Sequence, residues 1–221
     1  MQSAKQANRH TTVVLLDALG TLVALEPPWV HLADALGVRA DERLIGAVRA
    51  EMSFYREHSH EGRDPASLAE LRRRCAELLS DELGREIEVE TMMSAIRFRA
   101  YPDAAPALAE LRAAGLQTVC ISNWDCSLPE VLEGCGLGGL LDVVLSSATA
   151  GARKPDPAIF AAALELARSG PEQALHVGDT PEEDVEGARR AGIRVLLLDR
   201  EGGGDIASLA EVASHLETMP G

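Results

Sequence analysis

The stretch Val13-Val14-Leu15-Leu16 is an unbroken apolar run that ends in Asp17, Gly20 and Thr21. Four apolar residues without polar alternation predict a strand covered on both faces, with Asp17 at its C-terminal edge, where open α/β sheets bind ligands. From Tyr101 onward helical and strand patterns alternate. Helices are predicted over Asp103–Ala114, with Gly115 as the stop, and over Ser127–Cys135, Asp156–Arg168 and Pro181–Ala191. Between them short apolar strands fall at Gln117–Ile121, Asp142–Ser146, Ala174–Val177 and Arg194–Leu198. Gly202-Gly203-Gly204 reads as a loop before a last helix over about Ile206–Leu216. This alternation predicts an α/β protein with a parallel, Rossmann-like sheet and helices on both faces.

Residues 26–100 break the rhythm: they carry helical periodicity and many charges but almost no β-branched strand pattern. They predict an all-helical domain inserted after the first strand, entered at Pro27-Pro28 and left at Tyr101-Pro102. The expected organisation is therefore a core made of residues 11–25 and 101–221, with residues 26–100 as a cap over the sheet edge that bears Asp17.

Composition narrows the class. The chain has 221 residues, 46% of them apolar, which is enough for a full core. No apolar run reaches the length of a membrane span, and Met1–His10 has no apolar stretch to serve as a signal peptide, so a cytoplasmic location is expected. A net charge of −14 argues against nucleic acid and anionic membranes as partners. Cys75, Cys120, Cys126 and Cys135 have no metal-ligand spacing and are expected as free thiols. Neither oligomeric state nor substrate identity has a signature in the chain.

Four segments end predicted strands with polar residues: Asp17-Ala18-Leu19-Gly20-Thr21, Ser122-Asn123-Trp124-Asp125, Lys154-Pro155-Asp156-Pro157 and Gly178-Asp179-Thr180-Pro181-Glu182-Glu183-Asp184. In this order, with the helical insert between the first and second, they resemble the four motifs of the haloacid dehalogenase-like hydrolase superfamily. The resemblance implies a hydrolase with Asp17 as nucleophile, a carboxylate that divides one hard substitution into two easier steps through a covalent intermediate. Thr21, Ser122, Asn123 and Lys154 offer donors and a fixed charge to hold an anionic group of a small substrate. Thr21 also suits a turn cap, Ser122 and Asn123 a helix cap, and Lys154 a surface charge. Asp179 is expected close to Asp17, and two adjacent carboxylates require either a proton or a bridging cation. A hard divalent ion such as Mg²⁺ resolves that conflict. The family pattern assigns its ligands to Asp17, the Leu19 carbonyl and Asp179. Asp184 would stand behind them, orienting Lys154 or a bound water, or else would complement a helix N-terminus.

The chain departs from the family pattern at Leu19. Most phosphatases of the superfamily carry there a second Asp, which protonates the leaving oxygen and later activates water. Its loss costs about 10²–10⁴-fold on a poor leaving group but little on an acyl phosphate, an aryl phosphate or a halide. The 2-haloacid dehalogenases of the superfamily also lack that Asp, and this chain further resembles them at Tyr101-Pro102-Asp103-Ala104-Ala105 and through Arg49, a candidate for the anion contact or a solvated helix arginine. The fourth motif points the other way, because Gly178-Asp179-Thr180 supplies a carboxylate that metal-independent dehalogenation does not want. The expectation is therefore a Mg²⁺-dependent phosphohydrolase. A dehalogenase is the alternative, and a catalytically weak binding or regulatory protein the third reading. Asp125 is a candidate for the proton transfer that Leu19 cannot perform, or a helix cap. Trp124 suits a pocket wall or the core, and His176 a structural place on a buried strand.

Overall fold

Val13–Leu16 forms strand β1 with every side chain fully buried, as an uninterrupted apolar run demands. The computed structural model describes residues 11–217, so the signal-peptide reading of Met1–His10 lies outside the described residues. β1 is the central strand. It pairs in parallel with β4 (Gln117–Ser122) on one side and β6 (Ala174–Gly178) on the other, and β5 (Val143–Ser146) and β7 (Arg194–Leu197) complete a five-stranded sheet of order β5-β4-β1-β6-β7. Leu16 stands level with Cys120 of β4 and Val177 of β6. That register brings Asp17, Ser122 and Asp179 to one edge of the sheet, Asp17 and Asp179 just past their strands and Ser122 as the last residue of β4.

Alternate side chains of β1 feed two separate cores. Val14 and Leu16 pack with Leu108 and Leu111 of α5 (Ala104–Ala113) and Leu128 and Leu132 of α6 (Leu128–Gly134). Val13 and Leu15 pack on the other face with Ile159, Phe160 and Ala163 of α8 (Pro157–Ala167). Each fully buried Leu or Ile contributes roughly 1.5–3 kcal/mol of transfer free energy, which is what clamps the sheet between its helices.

The segment between β2 (Val23–Leu25) and β3 (Phe98–Ala100) is helical: α1 (Pro28–Leu36), α2 (Glu42–His58), α3 (Pro65–Leu83) and α4 (Val89–Ser94). These helices share their own apolar core, including Leu32, Val48, Leu71, Leu79 and Met92. Asp41 caps α2 by accepting from Leu44 N, and Asp64 forms a capping box with Ser67 at the start of α3. β2 and β3 pair antiparallel, Val23 opposite Ala100 and Leu25 opposite Phe98, so the helical segment leaves and returns along one ribbon.

Most expected elements occur within a residue or two of their anticipated ends. The β2–β3 ribbon was not foreseen, because three-residue strands carry too little periodicity. Neither was the short helix α7 (Ser147–Ala150), which Ser146 caps at Thr149 N. The helix expected over 181–191 begins as a π turn, Pro181–Val185, before α9 (Glu186–Arg190). The Asp184 side chain binds Thr180 N and is drawn inward, and the wide turn accommodates that. The last helix starts later than expected, because Ile206 bridges to Leu198 in extended conformation. A Ser208/Glu211 capping box then opens a turn into α10 (Val212–Glu217). Among the described residues no helix is long and apolar enough to cross a membrane.

Candidate active site at the sheet edge

Asp17 is 5% exposed, and its Oδ1 accepts hydrogen bonds from Ser122 Oγ at 2.9 Å and Lys154 Nζ at 2.5 Å. Both bonds fall on one oxygen, so Oδ2 is the one left to react. The Lys154 ammonium is buried and also meets Asp184 Oδ1 at 2.6 Å. The same Asp184 oxygen lies 2.9 Å from His176 Nε2, and the other accepts from Thr180 N at 3.0 Å. The result is a buried relay in the order His176, Asp184, Lys154, Asp17. Gly178 makes it possible, since a Cβ there would stand 2.2 Å from Asp184 Cγ.

Asn123 does not point a free amide at a ligand. Its Nδ2 donates to Lys154 O at 3.0 Å and its Oδ1 accepts from Lys154 N at 2.8 Å, a two-point clasp on the lysine backbone. Lys154 itself is not among the residues lining the adjacent cavity, and neither is Thr21, whose buried hydroxyl has no hydrogen-bond partner. Of the four residues expected to hold an anion, only Ser122 and Asn123 face the open space.

The electrostatics follow from one cation among several acids. Burial alone would drive the Lys154 ammonium to lose its proton, but Asp17 and Asp184 outweigh it and hold its pKa well above the ordinary value. Burial likewise works against an ionised Asp184, yet Lys154 and His176 prevail and hold its carboxyl far below the usual range. Asp17 shares the lysine and has Asp184 as a neighbour, so burial wins there and its pKa is raised. Asp179 is pushed up to about 6, first by burial and then by the charges of Asp17 and Asp184.

Asp17, Asp179 and Asp184 bring one oxygen each within 4.8 Å of one another. Asp184 has committed both oxygens to Lys154, His176 and Thr180, whereas the buried Oδ1 of Asp179 has no partner. A buried carboxylate oxygen left unpaired beside a second carboxylate fits a hard divalent cation. Gly20 makes room for the Asp179 carboxylate: its φ is +90°, and a Cβ there would stand 2.1 Å from Asp179 Oδ2.

A cavity of about 560 Å³ lies over this edge. Its floor includes Asp17, Leu19, Gly20, Ser122, Asn123 and Asp179, and its walls come from the helical segment: Glu51, Met52, Tyr55, Arg72, Met92 and Met93. Leu19 faces it with an apolar side chain. Trp124 serves both anticipated roles, lining the cavity while packing 5.1 Å from the Phe98 ring. Asp125 is 2% exposed and accepts from Tyr55 OH at 2.6 Å and Ser127 N at 2.7 Å, so it joins α2 to the loop ahead of α6. Arg49 does not reach the cavity: it is exposed, with its guanidinium 5.7 Å over the Trp29 ring, because it lies on another face of α2 from Glu51 and Tyr55. Arg56, Arg72 and Arg153 line the cavity instead.

Sequence reasoning passed over Glu51, Tyr55 and the place of His176 in the relay. Glu51 and Tyr55 stand one helical turn apart with Met52 between them, a spacing that marks one face of α2. Nothing in the chain said which face meets the sheet. Glu51 is 7% exposed, and burial raises its pKa although the Cys75 thiol hydrogen-bonds to it.

A family model for haloacid dehalogenase-like hydrolases matches residues 11–192. A phosphoserine phosphatase of Thermus thermophilus is 40% identical over 120 residues, 54% of this chain and 48% of that protein. A phosphoglycolate phosphatase of Aquifex aeolicus is 34% identical over 98 residues, 44% of this chain and 46% of its own length. The chain thus spans about half the length of these relatives. Among solved structures, a phosphatase of the same family from Thermococcus onnurineus superposes with a TM-score of 0.67 at 24% identity, covering 94% of this chain and 98% of that one. A dehalogenase captured with an intermediate superposes with a TM-score of 0.71 at 23% identity, covering 95% and 98%, so the fold is common to both chemistries. With its four motifs gathered at one sheet edge and the family model running over residues 11–192, the chain belongs to the haloacid dehalogenase-like hydrolases.

Proposed function

We propose that this hydrolase is a Mg²⁺-dependent phosphohydrolase acting on a small phosphorylated metabolite, with Asp17 as nucleophile. The observation that carries the reading is the unpaired, buried Oδ1 of Asp179 beside Asp17, with Gly20 leaving room for the Asp179 carboxylate. Asp17, the Leu19 carbonyl and Asp179 would hold the ion, with Asp184 behind them. When bound, the cation supplies charge neutralisation to the transferring phosphoryl group.

The chain's own residues do the rest. Ser122 and Lys154 fix Asp17 Oδ1, aiming Oδ2 at phosphorus. Attack forms the Asp17 acyl phosphate as the ester bond breaks and the leaving group departs. Water then attacks the phosphorus of that intermediate and returns the Asp17 carboxylate and inorganic phosphate. Lys154, held protonated by Asp17 and Asp184, orients Asp17 and balances its charge. Leu19 moves no proton, and Asp125 is engaged by Tyr55 and Ser127. Substrates whose leaving group departs unprotonated are therefore favoured, acyl and aryl phosphates above alkyl ones. The phosphatase names of the relatives support this reading. Leu19 and the Tyr101–Ala105 segment favour the second one, aspartate-based dehalogenation.

The test is a paired assay with Mg²⁺ and with a chelator, following phosphate release from p-nitrophenyl phosphate and an acyl phosphate, and halide release from 2-haloacids. Chelator-sensitive phosphate release is expected. Chelator-resistant halide release would overturn the reading in favour of a dehalogenase. Introducing Leu19→Asp separates a weak regulator from a working enzyme: a gain of about 10²-fold or more on alkyl phosphates identifies position 19 as the missing proton shuttle. No activity in either form would leave a binding protein.

A further inference from the structure

Arg200, just beyond β7, joins two parts of the molecule that are far apart in sequence. Its guanidinium stacks 3.7 Å from the Tyr101 ring centre and pairs through Nη1 with Asp103 Oδ2 at 2.9 Å. Its other nitrogens turn to the nucleophile loop: Nη2 donates to Thr21 O at 2.8 Å and Nε to Gly20 O at 3.3 Å. Tyr101 N donates to Leu22 O at 3.0 Å, so the two segments also touch directly. Asp103 is fixed in turn by Ser208 Oγ at 2.8 Å and Leu209 N at 2.9 Å. Burial works against its charge, but Arg200 and these donors outweigh it and hold its pKa low.

This is a planar fork with every edge in use. An ammonium cannot reproduce it, because stacking and parallel donation both need the guanidinium plane. Tyr101 and Asp103 belong to the return from the helical segment, directly after β3. Gly20 and Thr21 belong to the loop that carries Asp17 and Leu19. Arg200 is not among the residues lining the cavity, so any influence it has on the reaction passes through that loop.

We propose that Arg200 is a positioning residue that sets the Asp17–Thr21 loop and couples its geometry to the Tyr101–Asp103 joint between the helical segment and the sheet. The proposal rests on the reading of Asp17 as nucleophile. Loss of the fork leaves the loop carbonyls without a fixed partner, and displacements of about an ångström at a nucleophile cost on the order of 10²-fold in rate.

The experiment compares Arg200→Met and Arg200→Lys with Arg190→Met, which removes a surface pair with Glu186 of no consequence to the loop. Hydrogen–deuterium exchange is read on the peptide spanning Asp17–Val23 and on β4 as internal reference. The kcat and KM for the phosphate ester that the wild-type protein turns over are measured in parallel. In Arg200→Met the loop is expected to exchange about tenfold faster with β4 unchanged. The kcat is expected to fall about 10- to 100-fold while KM moves less than about threefold, with Arg200→Lys intermediate. Loop exchange and kcat both within about twofold of wild type in a folded Arg200→Met protein would overturn the proposal, as would faster exchange spread evenly over the sheet. Should Arg200→Met not fold, Arg200→Lys and Tyr101→Leu carry the same comparison. A wild-type protein without phosphatase activity would sink the reading of the site, while the exchange result would still decide the role of Arg200.

Discussion

One lysine charge answers two buried carboxylates in this site, and that imbalance governs what each residue tolerates. Lys154→Met leaves Asp17 and Asp184 buried without their cation, a loss of about 3–5 kcal/mol in such settings. Denaturant unfolding at neutral pH is expected to show it, together with loss of phosphate release. Asp179 makes a pH-dependent counterpart. Its carboxyl binds a proton more tightly in the folded protein than in the unfolded chain, with a pKa of about 6 against the usual 3.8. The metal-free fold is therefore penalised as pH rises from about 4 through about 6, and the penalty is complete above that. A cation that takes the ionised form removes the penalty, so the rise in Tm on adding Mg²⁺ is expected to be small at pH 5 and full at pH 7.5. An equal rise at both values would exclude Asp179 as a ligand. Glu51 follows the same sign: with its pKa raised by burial, Glu51→Gln is expected to raise Tm at pH 7.5 and to have little effect at pH 4.

At the scale of elements, the loop after β1 has the least freedom. Gly20→Ala places a methyl where Asp179 Oδ2 now lies and forces a side chain into a positive φ, so phosphate release is expected to fall below about 1% of wild type. Activity retained above half would show that Asp179 can move aside without consequence. The elements that carry the site were legible in the chain because each pairs a plain apolar strand with polar residues at its end, as Val13–Leu16 with Asp17 and Ala174–Gly178 with Asp179. Roles that depend on facing a neighbour were not. Arg49 and Tyr55 both lie on α2, and periodicity alone could not say which turns to the sheet. Asn123 and Lys154 read as anion-holding groups, but the structure joins them to each other, since a backbone clasp between two loops leaves no pattern in either. The π turn at Pro181–Val185 was hidden for a related reason: it follows from where the Asp184 carboxylate bonds, a tertiary matter.

Over the whole molecule, a net charge of −14 surrounds a cavity that the proposed function fills with an anion. Arg56, Arg72 and Arg153 offset it only locally. Because the Debye length shrinks from about 30 Å at 0.01 M salt to about 8 Å at 0.15 M, kcat/KM for a dianionic phosphate ester is expected to rise about two- to fivefold over that range. A fall would mean that the local arginines dominate the approach. The helical segment has its own core, and Tyr55 OH on Asp125 and Cys126 N on Gly62 O join it to the loop after β4. Its two ends run side by side as β2 and β3. A segment spliced in at a single doorway can be lifted out and exchanged without re-threading any strand of the sheet. The antiparallel ribbon thus makes the helical segment and the sheet that bears Asp17 separately heritable: one lineage can replace the first while keeping the second intact.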